Sequence, residues 1–266
     1  MSFSVEGKSV IVTGAANGIG RAVARHFVDN GAKVMFADRD EGRLVQELGD
    51  VEDGALADYF VGDLREKLTI SNLISATVDR FDRIDVLVNA ARQVMLSDPL
   101  DPSDESIATL MDQNVMAGLR LSKYVAKRML KQEPLGGSEG VGSIVNLSSV
   151  AARRAQPALL GYSMAMAAVD QSTRSLAVAY AAHKIRVNAV AFGSVMSSSL
   201  EQALRENEEY RKEIENNTPM ERIASPQEVA EAVQYLASDA ASFVTGQVLT
   251  IDGGRSVLDP VGAPAH

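Results

Sequence analysis

Two hydroxyl side chains lie where one crevice of the folded chain can hold both. Ser149 follows an apolar run, residues 144–147, that favours a buried strand, and Tyr162 lies thirteen positions later, where a long helical pattern begins. The end of a strand and the start of the next helix meet at one edge of a parallel sheet. A pair of hydroxyls at one crevice suits proton transfer if a charged group lies nearby to assist it. Met166, one helical turn after the tyrosine, has neither charge nor a hydrogen-bond donor.

A glycine-rich turn provides a second chemical feature. Gly14, Gly18 and Gly20 come directly after the buried-strand pattern of residues 9–12 and before a helical pattern. Such a turn brings backbone N–H groups to a phosphate, and the helix dipole favours the anion. A plain tight turn before a helix is the alternative interpretation of three glycines.

An acidic residue near this turn favours a dinucleotide. Asp38 ends the second strand pattern, eighteen residues beyond Gly20. A carboxylate in that place accepts hydrogen bonds from a ribose 2′-hydroxyl and repels a 2′-phosphate. We therefore expect NAD as the cofactor and regard NADP as disfavoured, although the neighbouring Arg39 can soften the preference.

Strand and helix patterns alternate about seven times along the chain. This alternation predicts an α/β fold, a single doubly wound parallel sheet of the Rossmann type with about seven strands and helices on both faces. We expect one domain, 1–266, with a cofactor half of about 1–142 and a catalytic half of about 143–266. Within it, the pattern predicts a helix from Ser103 to about Lys131, capped by Ser-Asp-Glu chemistry, and a helix over 197–217. Ser225 and Pro226 predict the start of another helix.

Composition excludes several classes of function. The 266 residues carry a net charge of −9, which argues against nucleic acid or an anionic membrane as a partner. The lack of cysteine excludes disulfides and thiolate chemistry. We see no secretory signal and no apolar run of the roughly 18 residues that a membrane span needs, so we expect a soluble, cytoplasmic protein. His26, His183 and His266 lie far apart in the sequence, and we predict no metal site.

Several motifs in the right order resemble those of the short-chain dehydrogenase/reductase family. They are Thr13–Gly20 (TGAANGIG), Asp63-Leu64, Asn89-Ala90-Ala91, Asn114, Ser149 with Tyr162, Arg186-Val187-Asn188, and Gly246-Gln247-Val248 with Asp252-Gly253-Gly254. The resemblance covers nearly the whole chain.

The resemblance implies hydride transfer between a nicotinamide and a secondary alcohol or ketone of small size. Tyr162 would be the acid/base, Ser149 would polarise the substrate oxygen and Asn114 would hold a water in a proton relay. It also implies a homotetramer or homodimer, with the helices of Asn114 and Tyr162 and the strand at 247–251 in the contacts. The implied cofactor-binding residues are Gly14, Asn17, Gly18, Ile19, Gly20, Asp38, Arg39, Asp63, Leu64, Asn89, Ala90, Ala91, Tyr162, Gly193, Val195 and Ser197.

Ala91 and Ser197 depart from the family pattern in small ways, and two further positions depart from it more strongly. The family has a lysine where this chain has Met166, and a proline where it has Phe192. An unassisted phenol has a pKa of about 10, so that only about one in a thousand is ionised at neutral pH. The sequence thus leaves two hypotheses: a dehydrogenase with an altered acid/base system, or a catalytically silent NAD-binding scaffold or regulatory protein. Tyr180 and Lys184 repeat the family's Tyr–Lys spacing, but we interpret them as an ordinary helix end.

Overall fold

The structure, a computed structural model, describes residues 2–135, 140–259 and 261. Its centre is one seven-stranded sheet in which every pairing is parallel, with the order β3-β2-β1-β4-β5-β6-β7. The strands are β1 Ser9–Thr13, β2 Lys33–Asp38, β3 Ala57–Val61, β4 Val86–Asn89, β5 Gly142–Ser149, β6 Ile185–Phe192 and β7 Val248–Ile251. The predicted doubly wound α/β fold is confirmed.

Helices cover both faces of the sheet. The α-helices are α1 Gly18–Asp29, α2 Glu41–Leu48, α3 Lys67–Phe81, α4 Ser106–Leu110, α5 Ala117–Met129, α6 Leu160–Ala181, α7 Ser198–Glu206, α8 Glu209–Asn216 and α9 Pro226–Ala237. Apolar side chains of α1, α2 and α9 form a core on one face, and those of α3, α5 and α6 form a core on the other. No helix within the described residues is long and apolar enough to cross a membrane.

The strand order reverses between β1 and β4, because the chain runs outward to β3 and then returns to the other side of β1. Such a switch point opens a crevice at the carboxyl ends of the strands. The carboxyl ends of four strands border this crevice. The glycine-rich turn follows β1, and Asn89, Ser149 and Phe192 are the last residues of β4, β5 and β6.

The helix predicted from Ser103 to about Lys131 is wrong in its start and its regularity. Ser103 instead donates to Asp101 in the preceding loop, and the helix begins at Ser106 without a side-chain cap bond. A π-helical stretch, Met111–Met116, separates α4 from α5. The cap prediction failed because short polar side chains compete equally well in turns.

The helical region after β6 is also divided. Extended backbone at Asn207 separates α7 from α8, so the single helix predicted over 197–217 is wrong. The next helix start is confirmed: Ser225 caps α9, Pro226 occupies its first position, and Glu228 closes the capping box.

Candidate active site

The glycine-rich turn is pressed against the segment that follows β4. A Cβ on Gly14, which has a φ of +66°, would lie 2.7 Å from the Cα of Ala91. The hydroxyl of Thr13 accepts hydrogen bonds from the backbone N–H groups of Ala90 and Ala91, both at 3.0 Å. A side chain at Gly14 would therefore separate two segments that form adjacent walls of the crevice.

The start of α1 fits a phosphate group. Within the described residues, and apart from its chain neighbours and the backbone of α1, no atom lies within 4 Å of where a Cβ on Gly18 would be, so the backbone is open to a ligand there. The first turn of α1, which is fully described, has no acidic side chain, and Asn17 makes no side-chain cap bond to it. Ile19 and Gly20 are buried behind the turn. The positive end of the helix dipole is thus available to an anion.

Asp38 lies beside this turn, at the end of β2. Its carboxylate accepts from the backbone N–H of Ala16 at 3.1 Å, from that of Arg39 at 2.7 Å and from that of Asp40 at 3.1 Å. A carboxylate has about four acceptor sites, so these three bonds fix its orientation and leave about one site for a hydroxyl ligand. The residues present therefore fit the ribose of a nicotinamide dinucleotide.

Cations surround the expected adenine contact. Arg65 pairs with Asp63 at 2.5 Å, and this hydrogen bond holds the pKa of Asp63 below its ordinary value. Arg39, whose side chain is exposed, lowers that pKa further through its charge. Leu64 lines a small cavity at the floor of the crevice.

Both candidate catalytic hydroxyls lie at the crevice. Ser149 ends β5, is buried, and accepts from the N–H of Ala151 at 3.2 Å. Tyr162 lies in the first turn of α6 and is only 4% exposed. Ala151 and Ala152 pack against the apolar cluster that contains Tyr162, which draws the two hydroxyl residues to one end of the sheet.

Arg92 contacts the tyrosine, and the sequence motifs did not reveal it. Its Nη1 donates a hydrogen bond to the phenolic oxygen of Tyr162 at 2.8 Å. Its guanidinium carbon lies 4.2 Å from the ring centroid of Phe192, which is within the range of a cation–π interaction. The only signal in the sequence was a cation directly after the Asn89-Ala90-Ala91 segment.

Asn114 fixes the backbone next to this arginine. Its amide oxygen accepts from the N–H of Gln93 and its amide nitrogen donates to the carbonyl of Gln93, both at 2.8 Å. One donor and one acceptor of the amide are thereby committed to the backbone. Asn114 lies in the π-helical stretch, a feature that often occurs at functional sites.

Met166 is buried against Tyr162 and borders a cavity of about 40 Å³. Asn89, Arg92 and Asn114 also line this cavity. The side-chain oxygen of Asn89 has no hydrogen-bond partner within the described residues. The volume is enough for one or two waters, and the orphaned oxygen is a ready partner for one.

The segment after β6 closes the crevice on its other side. Gly193 donates its N–H to the carbonyl of Ile251, Val195 pairs with Ala224, and Ser197 caps α7. These bonds hold the expected nicotinamide-contacting positions in a defined turn.

The second Tyr–Lys pair lies away from this site. Lys184 precedes Ile185 at the start of β6, whereas Phe192 pairs with Ser149 at the other end of the same two strands. Burial raises the pKa of Tyr180. Its interpretation as a helix end is confirmed by this position.

In the part of the chain that the structure describes, no three or more His, Asp or Glu side chains lie close enough together to hold a metal ion. His26 is hydrogen-bonded to Gln227 and Gln234. His266 lies outside the described residues.

Known proteins share both this sequence and this fold. A family model described as "Enoyl-(Acyl carrier protein) reductase" matches residues 14–256. The chain is 35% identical to an A-factor type γ-butyrolactone 1′-reductase (1S-forming) of Streptomyces virginiae, over 93% of this chain and 95% of that one. The chain belongs to the short-chain dehydrogenase/reductase family. Members of this family are oxidoreductases that bind nicotinamide cofactors.

Solved structures of this family superpose over almost the full chain. A gluconate 5-dehydrogenase from Burkholderia cenocepacia, in complex with NADP and tartrate, has a TM-score of 0.85 and 28% identity over 97% of this chain and 98% of that one. A 7α-hydroxysteroid dehydrogenase complexed with NADH and 7-oxo glycochenodeoxycholic acid has a TM-score of 0.86 and 28% identity over 95% of this chain and 96% of that one. The two structures contain different cofactors, NADP in one and NADH in the other, so similarity alone does not give the cofactor preference of this chain.

Proposed function

We propose that this protein is an NAD(H)-dependent oxidoreductase that interconverts a small secondary alcohol and its ketone. The observation that carries the proposal is the buried hydroxyl of Tyr162, which accepts a hydrogen bond from a cation beside the glycine-rich turn. A phenol in such a place is equipped to exchange a proton with a substrate oxygen. The relatives named above, two dehydrogenases and a reductase, support the same reaction class.

In the proposed oxidation, Ser149 donates a hydrogen bond to the substrate oxygen and Tyr162, as the phenolate, takes the hydroxyl proton. A hydride leaves the carbinol carbon with its electron pair, and the carbon–oxygen bond becomes a double bond. Bound NAD would supply the hydride acceptor, and bound NADH would supply the hydride in the reverse direction. Reduction reverses each transfer, with Tyr162 returning the proton to the oxygen.

The preference for NAD rests on Asp38. Its carboxylate is fixed by Ala16 and Arg39, and a fixed negative charge at this place repels a 2′-phosphate. Arg39 is exposed, and its charge lowers the pKa of Asp63. We propose that Gly14, Asn17, Gly18, Ile19 and Gly20 hold the pyrophosphate. The rest of the cofactor would contact Asp63, Leu64, Asn89, Ala90, Ala91, Tyr162, Gly193, Val195 and Ser197.

Met166 favours a second candidate function, a catalytically silent NAD-binding scaffold or regulatory protein. It replaces the cation that family members carry one turn after the tyrosine, with an uncharged thioether. Both functions predict binding of NAD(H), so binding alone does not separate them.

Turnover separates the two candidates. We expect the wild-type protein to oxidise or reduce members of a broad panel of secondary alcohols and ketones, followed by the absorbance of NADH. Tyr162→Phe removes the proton-transferring group and should lower kcat by about 100- to 10,000-fold while NADH binding persists. Wild-type turnover no faster than that of Tyr162→Phe on every substrate would favour the silent protein.

A further inference from the structure

We propose that Arg92 is the catalytic cation of this site and replaces the lysine that position 166 lacks. The inference rests on the proposed function and deepens it. It assigns a role to a residue outside the family's motifs, and it connects the two departures, Met166 and Phe192, through a single contact.

The contact is made at the reacting atom. Arg92 donates to the phenolic oxygen of Tyr162 at 2.8 Å, and Tyr162 is 4% exposed. A guanidinium only donates, so the tyrosine's own hydrogen stays free to pass to a substrate. Charge-assisted hydrogen bonds to an oxyanion are strong, and burial strengthens them further. The phenolate formed in the reaction is thus stabilised where its charge develops.

The arginine is held in place from two sides. Phe192 lies under the guanidinium at 4.2 Å, a face that the family's proline would not provide. Asn114 fixes the backbone of Gln93, the next residue, through two hydrogen bonds. Both constraints reduce the number of conformations that the Arg92 side chain can adopt, so it is held close to Tyr162.

Met166 fits this arrangement because it leaves the arginine without a competing cation. It is 1% exposed and packs in the same cluster as Tyr162. A lysine there would bury a second positive charge beside the same phenol, and like charges at short range repel. Two acids near α6 are paired with arginines of their own, Asp170 with Arg153 and Asp112 with Arg120.

An arginine also differs from a lysine in its chemistry. Its guanidinium remains charged throughout the working range of pH and presents a planar fork of donors. The support of Tyr162 therefore persists at alkaline pH. Arg92 does not accept a proton, so its role is electrostatic stabilisation and orientation of the phenolate.

A double-mutant cycle tests the proposal. Arg92→Gln should lower kcat by about 100- to 1,000-fold, as does removal of a charge-stabilising donor elsewhere, and should move the pH of half-maximal alcohol oxidation upward. Met166→Lys should not raise kcat in the wild-type background. It should raise kcat at least about tenfold in the Arg92→Gln background, since only there does the phenol lack a cation.

The ring of Phe192 is tested separately. Phe192→Leu keeps the apolar bulk but loses the ring, and it should lower kcat about 2- to 30-fold.

The matched control is Arg174→Gln, on the same helix as Tyr162, where the arginine is exposed and bonded to Gln171. It should leave kcat and the pH profile unchanged. An Arg92→Gln variant with wild-type kcat and an unmoved profile, in a protein whose Tyr162→Phe variant is inactive, overturns the role of Arg92 and leaves the proposed function standing.

The ionisation of Tyr162 can be measured without any substrate, so this test does not depend on the proposed function. Phenolate absorbance, taken as the difference between each protein and its Tyr162→Phe partner, follows the ionisation of this one tyrosine. We expect Arg92→Gln to shift that ionisation to higher pH and Arg174→Gln to leave it in place. Coincident curves for wild type and Arg92→Gln would overturn the inference whatever the enzyme does.

Discussion

At the residue scale, the chemistry of the site depends on which group carries the positive charge near Tyr162. A methionine at position 166 and a phenylalanine at position 192 each look like a loss when considered alone. The contacts of Arg92 join them, because it donates to Tyr162 and lies over Phe192. A change of residue type at one position is therefore interpretable only with its neighbours in space.

A substitution of Asp38 tests the cofactor preference at the same scale. Asp38→Asn keeps the size of the side chain and an oxygen that can accept from Ala16, but removes the charge. A hydrogen bond to a charged group contributes about 1.5 to 3 kcal/mol, so the Kd for NADH should rise about 10- to 100-fold. The Kd for NADPH should rise less or fall. Fluorescence titration of both cofactors measures the two constants.

The control for this prediction is Asp40→Asn, two residues further on. Asp40 caps α2 by accepting from the N–H of Arg43, and asparagine caps equally well. Its affinity for NADH should equal that of the wild type. If Asp38→Asn and Asp40→Asn have the same ratio of NADH to NADPH affinity, Asp38 does not select the cofactor.

At the element scale, short interruptions of regular structure position the site. The π-helical stretch between α4 and α5 presents Asn114 to the backbone of Gln93. On the other face of the sheet, α9 packs against α1, the helix that begins at the glycine-rich turn. The capping box of α9 is therefore part of what supports the cofactor half of the crevice.

Stability at low pH should depend on the cap of α9. Glu228 accepts hydrogen bonds from Arg222 and from the N–H of Ser225, and these partners lower its pKa from 4.5 to about 2. As the pH falls, the unfolded chain takes up this proton first. The contribution of Glu228 to stability is thus complete above pH 4.5 and is lost as the pH falls toward about 2.

Glu228→Gln tests this expectation, since glutamine retains the capping geometry without the charge. Both members of the ion pair are partly exposed, so the loss of stability in the variant should be small. Urea unfolding should show the wild type more stable at neutral pH, with the difference shrinking on acidification. A difference that stays constant down to the acid limit would contradict the expected role of the charge.

At the scale of the whole molecule, the edge of the sheet and the long helices leave surface for assembly. We propose a homotetramer or homodimer with α5, α6 and β7 in the contacts. On α6, Val178 is 82% exposed, and near β7 the side chain of Phe243 is fully exposed. Exposed apolar residues on these elements fit subunit contacts.

Val178→Glu should therefore shift the protein to a smaller species, because the carboxylate would be buried at the contact of α6. Size-exclusion chromatography with light scattering measures the mass of each species. The control is Leu68→Glu on α3, whose side chain is 72% exposed outside the proposed contacts. A monomeric wild type, or an unchanged mass for Val178→Glu, would contradict the proposed use of α6.

Local pattern made much of this molecule predictable. The alternation of strands and helices follows from burial on both faces of a parallel sheet, and the glycine spacing with Asp38 follows from the demands of a phosphate and a ribose. The helix interruptions at 111–116 and at Asn207 were not predictable, because they depend on packing partners remote in sequence.

By itself, the sequence determined the family, the parallel sheet and the places of Ser149 and Tyr162, since each depends on residues close along the chain or on a known motif. It also showed that the usual cation is absent from position 166. Only the tertiary structure decided which cation reaches the phenol. Arg92 lies seventy residues before Tyr162, and the two meet because β4 and β5 are neighbours whose carboxyl ends open on one crevice.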